Sequence, residues 1–322
     1  MPPGLGLGGG VTADPASGLF ASTPLLLDTY PNAHSAYSVR KLRTEYTGHA
    51  MKIRVDASSD RVADVAFDDD GFVSASSKVY NRDDGGSEGV TLATFVSTDN
   101  EVYVHTWYDQ SGEGSNATDL TPSPGSPSPA NQPKLYTSNS LITDVTGAGT
   151  PRAALLFDGA DRLNLSNSGL TLDATSVFTT FNITSTTNSA PFTLSYVAPG
   201  SVFYFPYLVG TVMNWYHDAG VAASQDLDDG SGSAIEYKRR LFSFLAGSGS
   251  QSMVINGTTN TDGSPSSSTT ALGGEIYYVA TGTNTLISGL IGKMQEFIVY
   301  DSNQASNNTG ITSEINTALE VY

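Results

Sequence analysis

The stretch EVYVHTWYD, residues 101–109, alternates its side chains at the two-residue period of a β-strand. In an extended strand Val102 and Val104 point to one face, and Tyr103 and Trp107 point to the other. Similar runs recur along the chain, separated by turns rich in Gly, Pro, Asp and Asn. The sequence therefore predicts an all-β fold of the sandwich or jelly-roll type.

The same period predicts the other strands. Two of them precede the opening stretch, MKIRVD at 51–56 and VADVAFDDDGF at 62–72. The strands predicted after it are ALLFDGADRLNL at 154–165, SVFTTFNIT at 176–184, FTLSYV at 192–197, VFYFPYLVG at 202–210, RLFSFLA at 240–246, SMVING at 252–257, EIYYVATG at 275–282 and IGKMQEFIVY at 291–300.

Two segments carry the three- and four-residue apolar spacing of an amphipathic helix. In HSAYSVRKLRTEY, residues 34–46, Ala36, Val39 and Leu42 share one face and the basic side chains fall largely on the other. The segment ITSEINTALEVY, residues 311–322, repeats this spacing, and the Ser near its start is a candidate N-cap. The sequence thus predicts a short N-terminal helix and a C-terminal helix beside the sandwich.

Residues 1–24 are rich in Gly, Pro and Ala and cannot build a core of their own. Two interpretations stay open, a flexible tail or an extended arm that orders against a partner. In the second, Pro3, Leu5 and Leu7 present small apolar groups to a groove of that partner. The predicted division is an arm over residues 1–24 and one β-sandwich domain over residues 25–322.

Charge and composition exclude several classes of partner. The chain has 32 Asp and Glu against 15 Lys and Arg, a formal net charge of -17. Such a surface repels nucleic-acid phosphates and anionic membranes, so no nucleic-acid binding is expected. The lack of cysteine rules out a disulfide framework and fits folding in a reducing cytosol. We expect neither a signal peptide nor membrane insertion, because no suitable apolar run is present.

Three segments, in order, resemble the catalytic domain of arabinofuranosidase B-type glycoside hydrolases. They are AHSAYSVRKLRTEYTGHAMKIRV at 33–55, TWYDQSGEGSNAT at 106–118 and GLIGKMQEFIVYDSNQ at 289–304. ALLFDGADRL, at 154–163, is similar to a laminin-G-type signature. The resemblance covers residues 25–322 in outline and implies a concanavalin-like β-sandwich. Trimmed, cysteine-free forms of this domain are similar to virion proteins of tailed phages.

The resemblance implies hydrolysis of a glycosidic bond, which in a retaining enzyme needs two carboxyl groups about 5 Å apart. The segment that corresponds to the family's nucleophile lies within residues 174–217 and contains no Asp or Glu. The segment that corresponds to its acid/base Asp is TGTNT at 281–285, where Thr or Asn stands instead. We therefore expect no catalytic residue and no enzymatic activity.

The best-matched part of the resemblance is the motif loop, which consists of Tyr108, Asp109, Gln110, Ser111 and Gly112. For the Asp109 carboxylate, a structural role as acceptor of backbone N–H groups in a turn is favoured over a chemical one. Four aromatic residues are candidates for sugar stacking or for a protein interface, although core filling is the simpler interpretation. They are Tyr204, Tyr207, Trp215 and Tyr216.

No cofactor is expected. The four His lack metal-binding spacing, and the Gly-rich stretches lack the Lys of a phosphate loop. Three acidic clusters leave Ca²⁺ open, although a solvated turn is favoured at each. The clusters are Asp68, Asp69 and Asp70; Asp83 and Asp84; and Asp226, Asp228 and Asp229.

Three functions stay open. The first is a structural protein on the virion surface of a tailed phage, as a head decoration, head fibre or tail component. Such a protein is made in the host cytoplasm, forms a homo-oligomer, docks on capsid or tail proteins through its arm and binds host surface glycans. The second is a carbohydrate-binding module or adhesin. The third is an active glycosidase with displaced carboxylates at Asp109, Glu275 or Glu296.

Overall fold

The fold is taken from a computed structural model of the chain. The structure describes residues 24–55, 61–97, 101–114, 116–118, 131–144, 149–161, 163–171, 174–183, 189–195, 203–209, 212–217, 220–226, 239–247, 250–262, 271–276 and 288–322. The predicted arm residues Pro3, Leu5 and Leu7 lie outside these ranges.

The described residues form many short β-strands and three helices. The helices are α1 (Leu26–Thr29), α2 (Leu92–Val96) and α3 (Asn308–Leu319). The strands are β1 (Ser35–Ser38), β2 (Met51–Val55), β3 (Val62–Val65), β4 (Val79–Tyr80), β5 (Glu101–Trp107), β6 (Ala117–Thr118), β7 (Lys134–Thr137), β8 (Ser140–Leu141), β9 (Thr143–Asp144), β10 (Arg152–Ala153), β11 (Leu155–Asp158), β12 (Leu163–Thr171), β13 (Ser176–Ile183), β14 (Ser189–Ala190), β15 (Thr193–Ser195), β16 (Phe203–Val209), β17 (Val212–His217), β18 (Gly220–Asp226), β19 (Arg239–Gly247), β20 (Ser250–Ile255), β21 (Thr258–Asp262), β22 (Ala271–Ile276), β23 (Ser288–Gly289) and β24 (Ile291–Tyr300).

Strand β24 organises one layer of the sandwich. One of its edges pairs antiparallel with β13, and its other edge pairs with β1 and then with β11. Beyond β13 the layer continues through β19, β20 and β21, each antiparallel to the one before. Strand β24 therefore joins segments that are far apart in the sequence.

A second group of strands pairs around β2 and β5. Strand β2 lies between β3 and β5, β3 pairs with β4, and β5 pairs with β6 and β7. Strand β12 connects β6 to β22, from which β15, β16, β17 and β18 continue by antiparallel pairing. The pairing confirms the all-β fold that the alternating segments predict.

The main core lies between these strand groups, where Ile53 and Trp107 share one buried cluster with Val177, Phe181 and Phe297. A second buried cluster lies on the other face of β13 and β24, under helices α1 and α3. Strand β13 is therefore buried along its whole length, including polar residues such as Thr179 and Asn182.

The predicted helix over residues 34–46 is wrong. Residues 35–38 instead form β1, with Ser35 opposite Val299 and Ser38 opposite Glu296. Arg40, which a helix would place toward solvent, is only 3% exposed because its guanidinium binds Glu296. Long-range pairing with β24 thus overrides the local helical spacing.

The strict alternation predicted for the opening stretch also fails in part. Val102 and Val104 lie in the same buried cluster as Trp107, although a regular strand would place them on opposite faces. The register of β5 shifts twice, between Val102 and Tyr103 against β7 and between Lys52 and Ile53 against β2. Such irregularities turn part of a strand to the other face.

The C-terminal helix is confirmed, with different ends from those predicted. Helix α3 begins at Asn308, so Ser313 lies inside it and is not its N-cap. Its buried face includes Ile311, Ile315 and Leu319, at the expected four-residue spacing. It ends at Leu319, because the C-cap residue Glu320 has a left-handed φ of 54°. None of the helices in the described ranges is long and apolar enough to cross a membrane.

Candidate functional site

The motif loop leaves the end of β5 and runs against the segment that follows β1. Asp109 is 6% exposed, and its Oδ1 accepts the backbone N–H groups of Ala36 at 2.8 Å and of Ser111 at 2.9 Å. Its Oδ2 accepts the hydroxyl of Ser111 at 2.6 Å. Because three donors converge on this buried carboxylate, Asp109 orders the turn and the entry to β1.

Gln110 is fully buried and binds the backbone on both sides of Lys41. Its Oε1 accepts the N–H of Leu42 at 2.8 Å, and its Nε2 donates to the carbonyl of Arg40 at 3.0 Å. Its own N–H donates to the carbonyl of Ala36 at 2.8 Å. A single side chain therefore fixes the course of the chain after β1.

The end of the motif loop contacts Arg43. Nη1 of Arg43 donates to the carbonyl of Ser111 at 3.1 Å, and Nη2 of Arg43 lies 3.2 Å from Oε2 of Glu45. Gly112 has a φ of +101°, and a Cβ there would lie 2.7 Å from Nη1 of Arg43. Glycine thus permits both the turn and the close approach of the guanidinium.

A cavity of about 670 Å³ opens beside this loop, between residues 27–33, 43–45 and 111–113. The volume lies within the range of roughly 300–1,000 Å³ that small-molecule sites occupy. Its polar lining includes Asp28, Asn32, Arg43, Thr44, Glu45 and Glu113. Leu27, Pro31 and Ala33 add apolar surface.

Asp28 supplies a fixed negative charge to this cavity. Its carboxylate accepts the backbone N–H of Thr44 at 3.0 Å and that of Leu25 at 3.1 Å, together with the Thr44 hydroxyl. Burial raises the pKa of Asp28, but these hydrogen bonds and the charge of Arg43 outweigh it, and the pKa is lowered. The cavity therefore presents a carboxylate and a guanidinium together.

Glu296, one of the displaced carboxylates, lies on β24 and is completely buried. Its Oε2 lies 2.8 Å from Nε of Arg40 and accepts the hydroxyl of Ser38 at 2.7 Å. Arg40 also binds Glu314 of α3 through Nη1 at 2.9 Å and Nη2 at 2.8 Å. Burial raises the pKa of Glu296, and the contacts with Arg40 oppose that rise. This network ties β1, β24 and α3 together.

The other sequence-predicted residues are placed less completely. Glu275 lies on β22 opposite Asn164 and Thr193, and its side chain lies outside what the structure describes. Strands β16 and β17, which carry the four candidate aromatics, pair so that Tyr207 faces Asn214 and Tyr216 faces Phe205. The exposure of Tyr204, Tyr207, Trp215 and Tyr216 lies outside what the structure describes.

Where the structure describes the acidic clusters, their carboxylates bind backbone N–H groups or an Arg side chain. Oδ1 of Asp68 accepts the N–H groups of Asp70 and Phe72. Asp83 accepts the N–H of Val62, and Asp84 binds Arg82 at 2.7 Å. Asp226 lies at the end of β18, and Asp228 and Asp229 lie outside the described residues. Within the described ranges no three acidic or His side chains converge to hold a metal ion.

A turn between β11 and β12 contains a carboxyl group with an altered pKa. Asp161 is 4% exposed, and its Oδ2 accepts the N–H of Asp158 at 2.9 Å. Burial and the neighbouring Asp158 charge raise the pKa of Asp161 to about 8. Asp161 is therefore protonated in the folded protein at neutral pH.

We expect Asp161 to make the fold less stable as the pH rises. In the unfolded chain an aspartate ionises near 3.8, whereas Asp161 keeps its proton to about pH 8 in the fold. The folded chain binds more protons between these values, so the free energy of unfolding falls with rising pH. The variant Asp161→Asn carries no ionisable group at this position, so its free energy of unfolding does not fall for this reason. Relative to the wild type, its free energy of unfolding is expected to rise by at least about 1 kcal/mol from about pH 5 to about pH 8.5.

Urea unfolding at both pH values measures this difference. The control is Asp301→Asn, which removes an exposed carboxylate and is expected to follow the wild-type profile. If Asp161→Asn and the wild type lose stability in parallel, Asp161 is already ionised in the folded protein.

Comparison with known proteins places the fold. No protein-family model and no curated protein matches the chain. A mutant GH54 α-L-arabinofuranosidase soaked with 4-nitrophenyl α-L-arabinofuranoside matches with a TM-score of 0.59 at 14% identity, over 89% of this chain and 63% of that chain. An arabinofuranosidase complexed with arabinofuranosyl-α-1,2-xylobiose matches with a TM-score of 0.51 at 12% identity, with the same coverage.

The chain thus spans less than two thirds of the length of these solved structures. At this level of identity the likeness concerns the fold. The predicted resemblance to arabinofuranosidases is confirmed in that respect, and this chain has the β-sandwich fold that is also found in GH54 arabinofuranosidases.

Proposed function

We propose that the protein is a non-catalytic, carbohydrate-binding β-sandwich, and that the cavity beside the motif loop binds the sugar. The observation that carries this proposal is the cavity itself, about 670 Å³ in volume, which is built on the best-matched loop of a glycosidase-like fold. This is the second of the three functions that the sequence left open, and the fold comparison supports it better than the first.

The lining of the cavity suits a neutral sugar. The Asp28 carboxylate accepts hydrogen bonds from hydroxyl groups, and the Arg43 guanidinium donates to hydroxyl and ring oxygens. Leu27 and Pro31 offer apolar surface to the C–H groups of the ring. The net charge of -17 disfavours polyanionic polysaccharides, so an uncharged glycan is the expected ligand.

The absence of catalysis is part of the proposal. A glycosidase needs one carboxylate that attacks or stabilises the sugar and one that transfers a proton. Asp109 is engaged by the backbone of β1 and by Ser111, and Glu296 is engaged by Arg40 in the core. These contacts support a structural role for both groups, away from a solvent-accessible sugar.

Substituting Arg43 tests the site. Arg43→Ala is expected to weaken sugar binding at least about ten-fold, because a charged hydrogen bond contributes about 1.5–3 kcal/mol. Isothermal titration calorimetry with arabinofuranosyl-α-1,2-xylobiose, alongside a microarray of neutral glycans, measures the effect. The matched control is Lys78→Ala, which removes an exposed cation that does not line the cavity.

Two results contradict the proposal. If the wild type binds no glycan on the array, carbohydrate binding is wrong. If the wild type releases reducing sugar from arabinoxylan, the non-catalytic part is wrong and Glu275 becomes the first carboxylate to substitute.

Placement on a phage virion stays a prediction of the sequence. It is tested by a pull-down from a lysate of the native source with the full chain and with residues 1–24 deleted. Retention of a capsid or tail protein by the full chain alone supports that placement, and equal behaviour of both proteins contradicts it.

A further inference from the structure

A second surface, apart from the cavity lining, combines aromatic rings with a fixed amide. Tyr80 is 36% exposed, and its ring centroid lies 5.5 Å from that of His49, with 35° between the planes. The His49 side chain is 30% exposed. Within the described ranges Tyr80 is one of two large hydrophobic side chains that are exposed, the other being Tyr322.

Asp64 lies buried beneath this surface and binds the residues that form it. It is 5% exposed and lies directly opposite Tyr80 in the pairing of β3 with β4. Its Oδ2 accepts the Nδ2 of Asn81 at 2.6 Å, and its Oδ1 accepts the hydroxyl of Tyr108 at 2.7 Å. Nδ1 of His49 lies 3.9 Å from the same carboxylate. One buried carboxyl group therefore holds Asn81 and Tyr108 by hydrogen bonds and lies close to His49.

Asn81 adds a positioned amide beside the ring of Tyr80. Its φ is +51°, in the left-handed region that Asn tolerates better than most residues. The residue is exposed, and because one N–H is fixed on Asp64, the rest of the amide is presented to solvent in a defined direction.

We propose that Tyr80, His49 and Asn81 form a subsite for the apolar face of a pyranose ring. The ring of Tyr80 stacks on the sugar C–H groups, and the Asn81 amide hydrogen-bonds a hydroxyl group of the same sugar. This inference rests on the proposed carbohydrate binding and extends it, since it adds a stacking platform to a cavity that has no aromatic lining residue.

The two surfaces are continuous in the chain. Thr44 and Glu45 line the cavity, and Tyr46, the next residue, donates its hydroxyl to the carbonyl of His49 at 2.8 Å. The motif loop likewise begins at Tyr108, on Asp64, and reaches the cavity at Ser111. On this proposal the ligand is a chain of linked sugars, with one unit in the cavity and a pyranose on Tyr80.

The test compares Tyr80→Ala with Tyr80→Phe on two probes, methyl α-L-arabinofuranoside and an arabinofuranosyl-substituted xylo-oligosaccharide several sugars long. Calorimetry is expected to show about a ten-fold loss of affinity for the oligosaccharide in Tyr80→Ala, and a much smaller change in Tyr80→Phe, which keeps the ring. Neither variant is expected to change affinity for the monosaccharide. Unchanged urea unfolding shows that both variants are folded.

The outcomes separate the two proposals. Loss of oligosaccharide affinity in both Arg43→Ala and Tyr80→Ala supports both. If Arg43→Ala loses affinity and Tyr80→Ala binds the oligosaccharide like the wild type, the subsite is wrong and the cavity stands. If Tyr80→Ala loses affinity for the monosaccharide to the same extent as for the oligosaccharide, the substitution disturbs the cavity itself and the subsite is wrong. If the wild type binds neither these probes nor any arrayed glycan, carbohydrate binding itself is wrong.

Discussion

Arg40→Leu is expected to lower the free energy of unfolding by about 3–5 kcal/mol, because it leaves the buried Glu296 without its cationic partner. Arg40 and Glu296 are 3% and 0% exposed, and their closest atoms are 2.8 Å apart. The second partner of Arg40, Glu314 of α3, also loses its ion pair with Arg40. Urea unfolding at neutral pH measures the loss.

A double-mutant cycle shows whether the pair is the cause. Removing both charges, in Arg40→Leu with Glu296→Leu, is expected to cost less than Arg40→Leu alone, since no unpaired charge stays in the core. The control is Arg43→Leu, whose partner Glu45 is 80% exposed and whose substitution leaves no buried charge. Equal losses for Arg40→Leu and the double variant would contradict the role given to Glu296.

Gln110→Ala is expected to lower the free energy of unfolding by about 2–4 kcal/mol, because the buried N–H of Leu42 and carbonyl of Arg40 lose their hydrogen-bond partner. Sugar affinity is expected to fall too, since the segment that Gln110 fixes leads directly to Arg43 and Thr44 in the cavity. Urea unfolding and calorimetry measure the two effects.

The control for Gln110 lies in the same loop. Glu113→Ala changes an exposed side chain and is expected to alter stability by less than about 0.5 kcal/mol. If Gln110→Ala is as stable as Glu113→Ala, the backbone after β1 does not depend on the Gln110 amide.

The sequence predicts the sandwich well because strand alternation and turn chemistry are local signals. It fails at residues 34–46, where helical spacing is also local but the deciding contact is not. Arg40 binds the carboxylate of Glu296, 256 residues further along the chain, and no sequence pattern within residues 34–46 predicts that partner. Strand β5 fails for a related reason, since its register shifts depend on the strands beside it.

The candidate site shows the same limit. The motif loop is visible in the sequence through its resemblance, and Asp109 is placed in a turn as expected for a structural acceptor. The cavity is not visible, because its walls come from three segments that only the fold brings together. The sequence does not single out Tyr80 and Asn81 for a similar reason. The carboxylate that binds Asn81 belongs to Asp64, which lies on another strand.

The late position of β24 in the sequence is expected to control when the chain folds. Strand β24 pairs with β1 through Ser35 and Val299, and with β13 on its other edge. On a ribosome, the layer built on β24 cannot close until residues 291–300 have emerged. Because contacts of such long sequence separation are slow to form, folding is expected to be rate-limited by the docking of this strand. In a nascent chain stalled before residue 291, strands β1, β11 and β13 are therefore expected to be cleaved by protease as readily as in an unfolded polypeptide.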